Sequence, residues 1–155
     1  MSSDSELLAL AIEQARIGAE EGGVPIGAVL VDADGTVLGA GRNRRVQMNS
    51  AIRHGETDAL ENAGRLPASV YRRSTMVTTL SPCDMCTGAV LLYGIPRVII
   101  GENRTFVGGE ELLRSRGVEV VNLDSDECVA LMDAFITAHP GIWNEDIGEE
   151  SGGEG

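Results

Sequence analysis

Residues Thr75 to Ile100 read TMVTTLSPCDMCTGAVLLYGIPRVII, and this stretch decides the fold class. Thr75 to Thr79 is rich enough in β-branched residues for a strand. Ser81-Pro82-Cys83 has the composition of a helix start, and the pattern predicts a helix through Leu92, stopped by Gly94 and Pro96. Arg97 to Ile100 is strand-like again. The alternation continues with a helix over 110–116, a strand over 118–123 and a helix over 125–138. Upstream, Leu7, Leu8, Ala11, Ile12, Ala15 and Ala19 recur at the helical period, and Gly22-Gly23 supplies a stop. Ile26 to Val31 and Thr36 to Ala40 flank Asp32-Ala33-Asp34-Gly35, which reads as a hairpin. Residues 42–50 are polar and irregular, and a helix is expected from about His54 to Ala63, ended by Gly64. The sum is an α/β sheet covered by helices on both faces and opened by an antiparallel hairpin.

A chain of 155 residues suits one domain, expected over 1–148, with 149–155 an acidic, Gly-rich and disordered tail. No apolar run is long enough to span a bilayer, and the acidic start lacks the features of a secretory signal, so the expected address is the cytoplasm. A formal charge of −12 repels a phosphate backbone and disfavours nucleic acid as a partner. All 12 basic residues are Arg, which fits either a GC-rich genome or a salt-adapted surface. Three cysteines, Cys83, Cys86 and Cys128, do not make a disulfide framework.

The chemistry lies in His54-Gly55-Glu56 and Pro82-Cys83-Asp84-Met85-Cys86. Together they are similar to the H-x-E and P-C-x-x-C signature of zinc deaminases. Cys83 and Cys86, three apart on a helix, share a face and can grip one ion. The sheet order brings the starts of both helices to one edge, where the positive helix ends favour thiolates. His54 with the two cysteines leaves a fourth tetrahedral position open for water, whose pKa zinc lowers to about 7. Glu56, two residues from His54, does not share its helix face and is free to move protons.

Plainer readings exist for each part. A lone C-x-x-C is also a redox pair or half of a structural zinc site, but the redox reading gives no role to Pro82, His54 or Glu56. A closed structural site needs a fourth ligand, for which the candidates are Cys128 and His139. Cys128 sits beside Val129, Leu131 and Met132 and is expected in the core; His139, before Pro140-Gly141, is expected as a helix-end residue.

From Gly22-Gly23-Val24-Pro25-Ile26-Gly27 to Glu145-Asp146-Ile147-Gly148-Glu149 the chain resembles the fungal-type cytosine deaminases of the cytidine deaminase-like superfamily. The resemblance is carried most specifically by the run from Thr78 to Ala89, by Tyr93-Gly94-Ile95-Pro96-Arg97 and by Gly101-Glu102-Asn103. It implies a three-layer α/β/α sandwich around a mixed five-stranded sheet, a homodimer, and one Zn2+ per chain on His54, Cys83 and Cys86. It implies hydrolysis of free cytosine to uracil and ammonia, with zinc-activated hydroxide attacking C4 and Glu56 as proton shuttle. Asn43 and the Gly55 N–H would then bind the pyrimidine carbonyl edge, and Asp146 and the Ser81 carbonyl would accept from the exocyclic amine. Phe106 and Trp143 would close over the ring, with Ile26 and Leu80 lining the pocket.

Arg42, Arg53, Thr57 and Asp58 depart from the family pattern near the site. The alternatives are deamination of isocytosine, creatinine or a purine base, editing of adenosine in nucleic acid, and a silent binding subunit. Nucleic-acid adenosine deaminases tend to be basic and to carry Ala where this chain has Gly55, and a silent subunit has no need of Glu56. Residues 141–148, after the stop expected at Pro140-Gly141, are expected to form a mobile lid.

Overall fold

In the computed structural model, which describes residues 2–150, the first helix α1 (Asp4–Glu20) starts from a reciprocal cap in which Ser3 and Glu6 bond each other's backbone N–H. A hairpin follows, β1 (Gly27–Val31) and β2 (Val37–Arg42), turning at Gly35 with φ near 90°. Next come two helices joined by a loop, α2 (Arg45–Met48) and α3 (Gly55–Ala63), then a short α4 (Ala68–Tyr71). The chain continues as β3 (Thr75–Leu80), α5 (Asp84–Tyr93), β4 (Arg97–Glu102), α6 (Glu110–Ser115) and β5 (Glu119–Asn122). It closes with α7 (Asp126–Ala138) and α8 (Pro140–Asp146).

The strands form one five-stranded sheet in the order β2-β1-β3-β4-β5. β1 runs antiparallel to both β2 and β3, and β3, β4 and β5 are parallel. Successive strand residues point to opposite faces. Val29, Val31, Val77 and Ile99 therefore meet α1 and Cys128 of α7, whereas Ala28, Leu30, Met76, Val98 and Ile100 meet Ala59 of α3, Val90 of α5 and Leu113 of α6. These are the expected three layers around a mixed sheet. A third apolar cluster, Val24, Ile26, Leu80, Met132, Phe135 and Trp143, lies at the edge where β3 ends. Gly39 and Gly41 let α3 settle directly on β2, because a Cβ at either would collide with the α3 backbone at Ala59.

Several expectations need correction. The irregular segment 42–50 contains α2, and 68–71 adds an unexpected turn of helix; both are too short to show a period. Cys83 is the N-cap of α5, with extended backbone, so only Cys86 lies inside the helix. Pro140 does not end the helical region. It occupies the first turn of α8, where its missing N–H costs nothing, and the proposed lid is a helix with Trp143 and Asp146 buried. Of the expected tail, 151–155 lie outside the described residues.

Candidate active site

β2 and β3 both end at one edge of the sheet, and the helices that follow them, α3 and α5, begin there. Open α/β sheets gather ligands at such an edge. His54 is the N-cap of α3 and Cys83 that of α5. The Thr57 hydroxyl accepts from the His54 N–H at 2.9 Å and donates to the Ile52 carbonyl at 2.5 Å, fixing the backbone that carries the imidazole. Pro82 is anchored by Gly109 N–H and by the Thr87 hydroxyl, both donating to its carbonyl, while Thr87 N–H donates to the Cys83 carbonyl.

The His54 Nδ1 atom lies 3.4 Å from Cys83 Sγ and 3.8 Å from Cys86 Sγ. Tetrahedral zinc, at about 2.3 Å from sulfur and 2.0–2.1 Å from nitrogen, requires N···S edges of roughly 3.6 Å. The donor set and its spacing thus fit Zn2+, and among the described residues His54, Cys83 and Cys86 are the one cluster of metal-ligating side chains so placed. Cys128 packs in the core against α1, and the ring of His139 rests on Phe135 with centroids 5.2 Å apart. Neither completes a closed structural site.

Glu56 is buried beside this triangle. Burial pushes its carboxyl up to about 7, against the pull of the His54 charge. Burial disfavours the charged imidazole of His54, but the hydrogen bond it donates to Cys83 and the negative Asp146 and Glu56 outweigh it and raise its pKa to about 9. Hydrogen bonds from Cys86 and His54 hold Cys83 down to about 4, and Cys86, bonded to that thiolate and buried, is raised. A cation supplied to the cluster replaces its protons.

Ile26, His54, Glu56, Leu80, Ser81, Cys83, Phe106, Trp143 and Asp146 line one inner chamber of about 20 Å³. Outside it, sharing His54, Cys83, Phe106 and Asp146, opens a cleft of about 560 Å³ edged by Arg45, Asp84 and Glu145. Phe106 and Trp143 meet edge to face, 6.1 Å between centroids. Asn43 reaches the site through its side-chain amide, which donates to Asp146 Oδ1 at 2.7 Å, and Arg45 N–H donates back to the Asn43 oxygen at 3.1 Å. Burial raises the Asp146 pKa, opposed by the His54 charge and the Asn43 bond. The Ser81 hydroxyl donates to Glu110 at 2.6 Å and accepts from Gly108 N–H at 2.9 Å. Its carbonyl accepts none of the hydrogen bonds among the described residues. Gly55 lies in the first turn of α3, where helical N–H groups point outward without partners.

Residues 1–102 match the family described as the cytidine and deoxycytidylate deaminase zinc-binding region. The chain belongs to that family of zinc-binding deaminases. A cytosine deaminase of Candida albicans is 57% identical over 146 residues, covering 94% of this chain and 97% of the relative. A tRNA-specific adenosine deaminase of Streptococcus pyogenes serotype M18 is 33% identical over 136 residues, covering 81% of this chain and 84% of its own. A solved guanine deaminase of Nitrosomonas europaea superposes with a TM-score of 0.73 at 23% identity, covering 88% and 86% of the two chains, which shows a common deaminase fold.

Of the residues expected in the deaminase site, nine line the inner chamber; Cys86 stands beside His54, Asn43 bonds Asp146 and Gly55 adjoins Ile26. Arg45 and Glu110 carried no signal in the sequence, and Thr57 stood out only as a departure from the family pattern. Arg45 has Nη1 3.8 Å from Asp146 Oδ1, Glu110 holds Ser81 from α6, and Thr57 pins His54. Arg45 and Glu110 reach the site by tertiary approach, and Thr57 looks like any polar residue of a first helical turn.

Proposed function

We propose that the domain over 1–148 hydrolyses free cytosine to uracil and ammonia in the cytoplasm. The observation that carries this reading is the buried Glu56 set beside a three-donor metal triangle inside a chamber walled by Phe106 and Trp143. The naming of the Candida albicans relative as a cytosine deaminase supports the choice of base.

His54, Cys83 and Cys86 would hold the ion, which when bound supplies a water acidic enough to act as hydroxide near neutral pH. Glu56, buried beside the triangle, would take the proton released by the attacking water and place it on ring N3, then take the proton of the new C4 hydroxyl as the carbonyl forms and pass it to the departing amine. The Asn43 amide and the Gly55 N–H would donate to the C2 carbonyl. Asp146 and the Ser81 carbonyl would accept from the exocyclic amine, so that a substrate lacking the amine leaves a buried carboxylate unpaired. The inner chamber has room for about one water, so a pyrimidine enters only as Phe106 or α8 yields. That gives α8 the function of a lid.

Two further features bear on partners. Asp84, Glu145 and Asp146 outnumber Arg45 around the outer cleft, which opposes a nucleic-acid backbone. A groove of about 450 Å³ lined by Leu60, Leu66, Leu92 and Tyr93, with Leu92 75% exposed, is the kind of apolar surface a second copy would cover in a homodimer.

Ammonia release from cytosine, isocytosine, creatinine, guanine, adenine and cytidine tests the assignment. Cytosine is expected to have the highest kcat/KM, with cytidine far below it because Phe106 and Trp143 leave no space for a ribose. Faster release from a purine base, creatinine or isocytosine would transfer the activity to that alternative, and release from none would favour a binding subunit.

A further inference from the structure

Asp58 has no exposed surface, yet it carries a carboxyl group and sits on the first turns of the helix capped by His54. A carboxylate so placed is expensive to bury unless its lone pairs are filled and its charge is met. Both conditions hold. Arg53 Nη1 donates to Oδ1 at 2.6 Å; the backbone N–H of Arg42 at 3.0 Å and Arg44 Nε at 3.1 Å donate to Oδ2. Asn62 Nδ2 approaches Oδ2 at 3.5 Å.

These donors come from the two segments that carry the site's recognition and metal-binding side chains. Arg42 ends β2, and Arg42 and Arg44 flank Asn43 on either side. Arg53 immediately precedes His54. The Arg44 N–H also donates to the Arg53 carbonyl at 2.9 Å, so the two segments are stitched to each other as well as to α3. Arg42 turns its own side chain away, to Glu21 of α1's C-terminal end, and leaves only its N–H for Asp58. Neither Asp58 nor any of the three arginines lines the inner chamber.

We infer that Asp58 is a positioning residue: with Arg44 and Arg53 it forms a clamp that sets the Asn43 side chain against Asp146 at a fixed distance from the metal triangle. A charge-assisted, multiply bonded carboxylate is stiffer than the neutral contacts around it, and a shift of Asn43 alters its reach to Asp146 directly. The catalytic part of this inference rests on the proposed contact between Asn43 and the base.

The test uses the zinc-loaded enzyme and four variants: Asp58→Asn, Arg44→Met, Asn43→Ala and the double variant Asp58→Asn/Asn43→Ala. The readouts are KM and kcat for cytosine and the side-chain amide resonances of Asn43 in 15N spectra. Asp58→Asn keeps the volume but removes the charge, and KM is expected to rise about tenfold, the scale of one weakened charge-assisted bond, with kcat changed less. The Asn43 amide resonances are expected to move. In the Asn43→Ala background the KM effect of Asp58→Asn is expected to vanish, since residues acting through one another are not additive. Arg44 is partly exposed and its loss is milder, so Arg44→Met carries the same test if Asp58→Asn folds poorly. Unmoved Asn43 resonances, or KM effects that simply multiply, overturn the clamp and leave Asp58 a purely structural ion pair. Moved resonances with an Asn43→Ala enzyme of unchanged KM uphold the clamp and instead overturn the reading of Asn43 as a base contact.

Discussion

Asn43 and Asp146 stand 103 positions apart and are joined by a 2.7 Å hydrogen bond from the Asn43 amide to Asp146 Oδ1. One follows β2 and the other ends α8, so the last helix is tied to the hairpin across the mouth of the chamber. A substrate that takes the Asn43 amide and offers an amine to Asp146 exchanges this bond for two of its own. On the proposed reading of Asn43 and Asp146 as base contacts, the two groups are held together before substrate arrives, which lowers the ordering cost of binding.

Purified protein is expected to carry about one zinc per chain, because three ligands with one open position suit that ion. Cys86→Ser should lose the metal and the activity together. Elemental analysis and ammonia release, before and after a strong chelator and again after added zinc, check this. Full activity in metal-free protein contradicts the assignment.

Glu56→Gln preserves volume and removes the proposed proton carrier. Its kcat is expected to fall by about 10²-fold or more, with zinc content and circular dichroism unchanged. A near wild-type rate would give the proton transfers to another group.

Trp143 is the single tryptophan of the chain and packs edge to face on Phe106 over the chamber. If α8 yields as a base enters, saturating uracil should shift or quench the intrinsic emission, and Phe106→Leu should reduce the effect. Emission unchanged at concentrations that inhibit deamination would show that the ring enters without disturbing α8.

Arg97 holds the two Asp4 oxygens at 3.0 and 2.8 Å and Glu119 at 3.2 Å, pinning the start of α1 to β4 and β5. The hydrogen bond to Arg97 keeps the Asp4 carboxyl below its ordinary 3.8. A depressed carboxylate contributes stability that is present above the unfolded pKa and is lost as pH falls through the folded one. Arg97→Met should therefore lower Tm at pH 7, with the gap to wild type closing below pH 3.8 as Asp4 protonates in both. A gap independent of pH would assign the loss to packing of the Arg97 stem alone.

The sheet, its layers and the metal centre were legible in the sequence because each is written in short-range pattern. The alternation of strand and helix from Thr75 onward placed β3, α5 and β4, and the period of Leu7, Leu8, Ala11 and Ile12 placed α1 with its buried face. His54, Cys83 and Cys86 were legible because zinc demands particular donors, and two of the three lie within one turn of each other. Pro140 misled because proline stops a helix when interior to it and starts one when first, and only the chain around it tells which.

The sequence by itself determined the fold class and the metal-ligand set, and it singled out Glu56 beside them. Tertiary structure decided what surrounds them: that Asn43 meets Asp146, that Glu110 takes the Ser81 hydroxyl, and that Asp58 collects Arg42, Arg44 and Arg53. Periodicity and spacing report which face a residue occupies on its own element. They carry no information on which residue of another element comes within 3 Å, because that depends on how closely Gly39 and Gly41 let α3 approach β2 and on where α8 docks after the turn at His139.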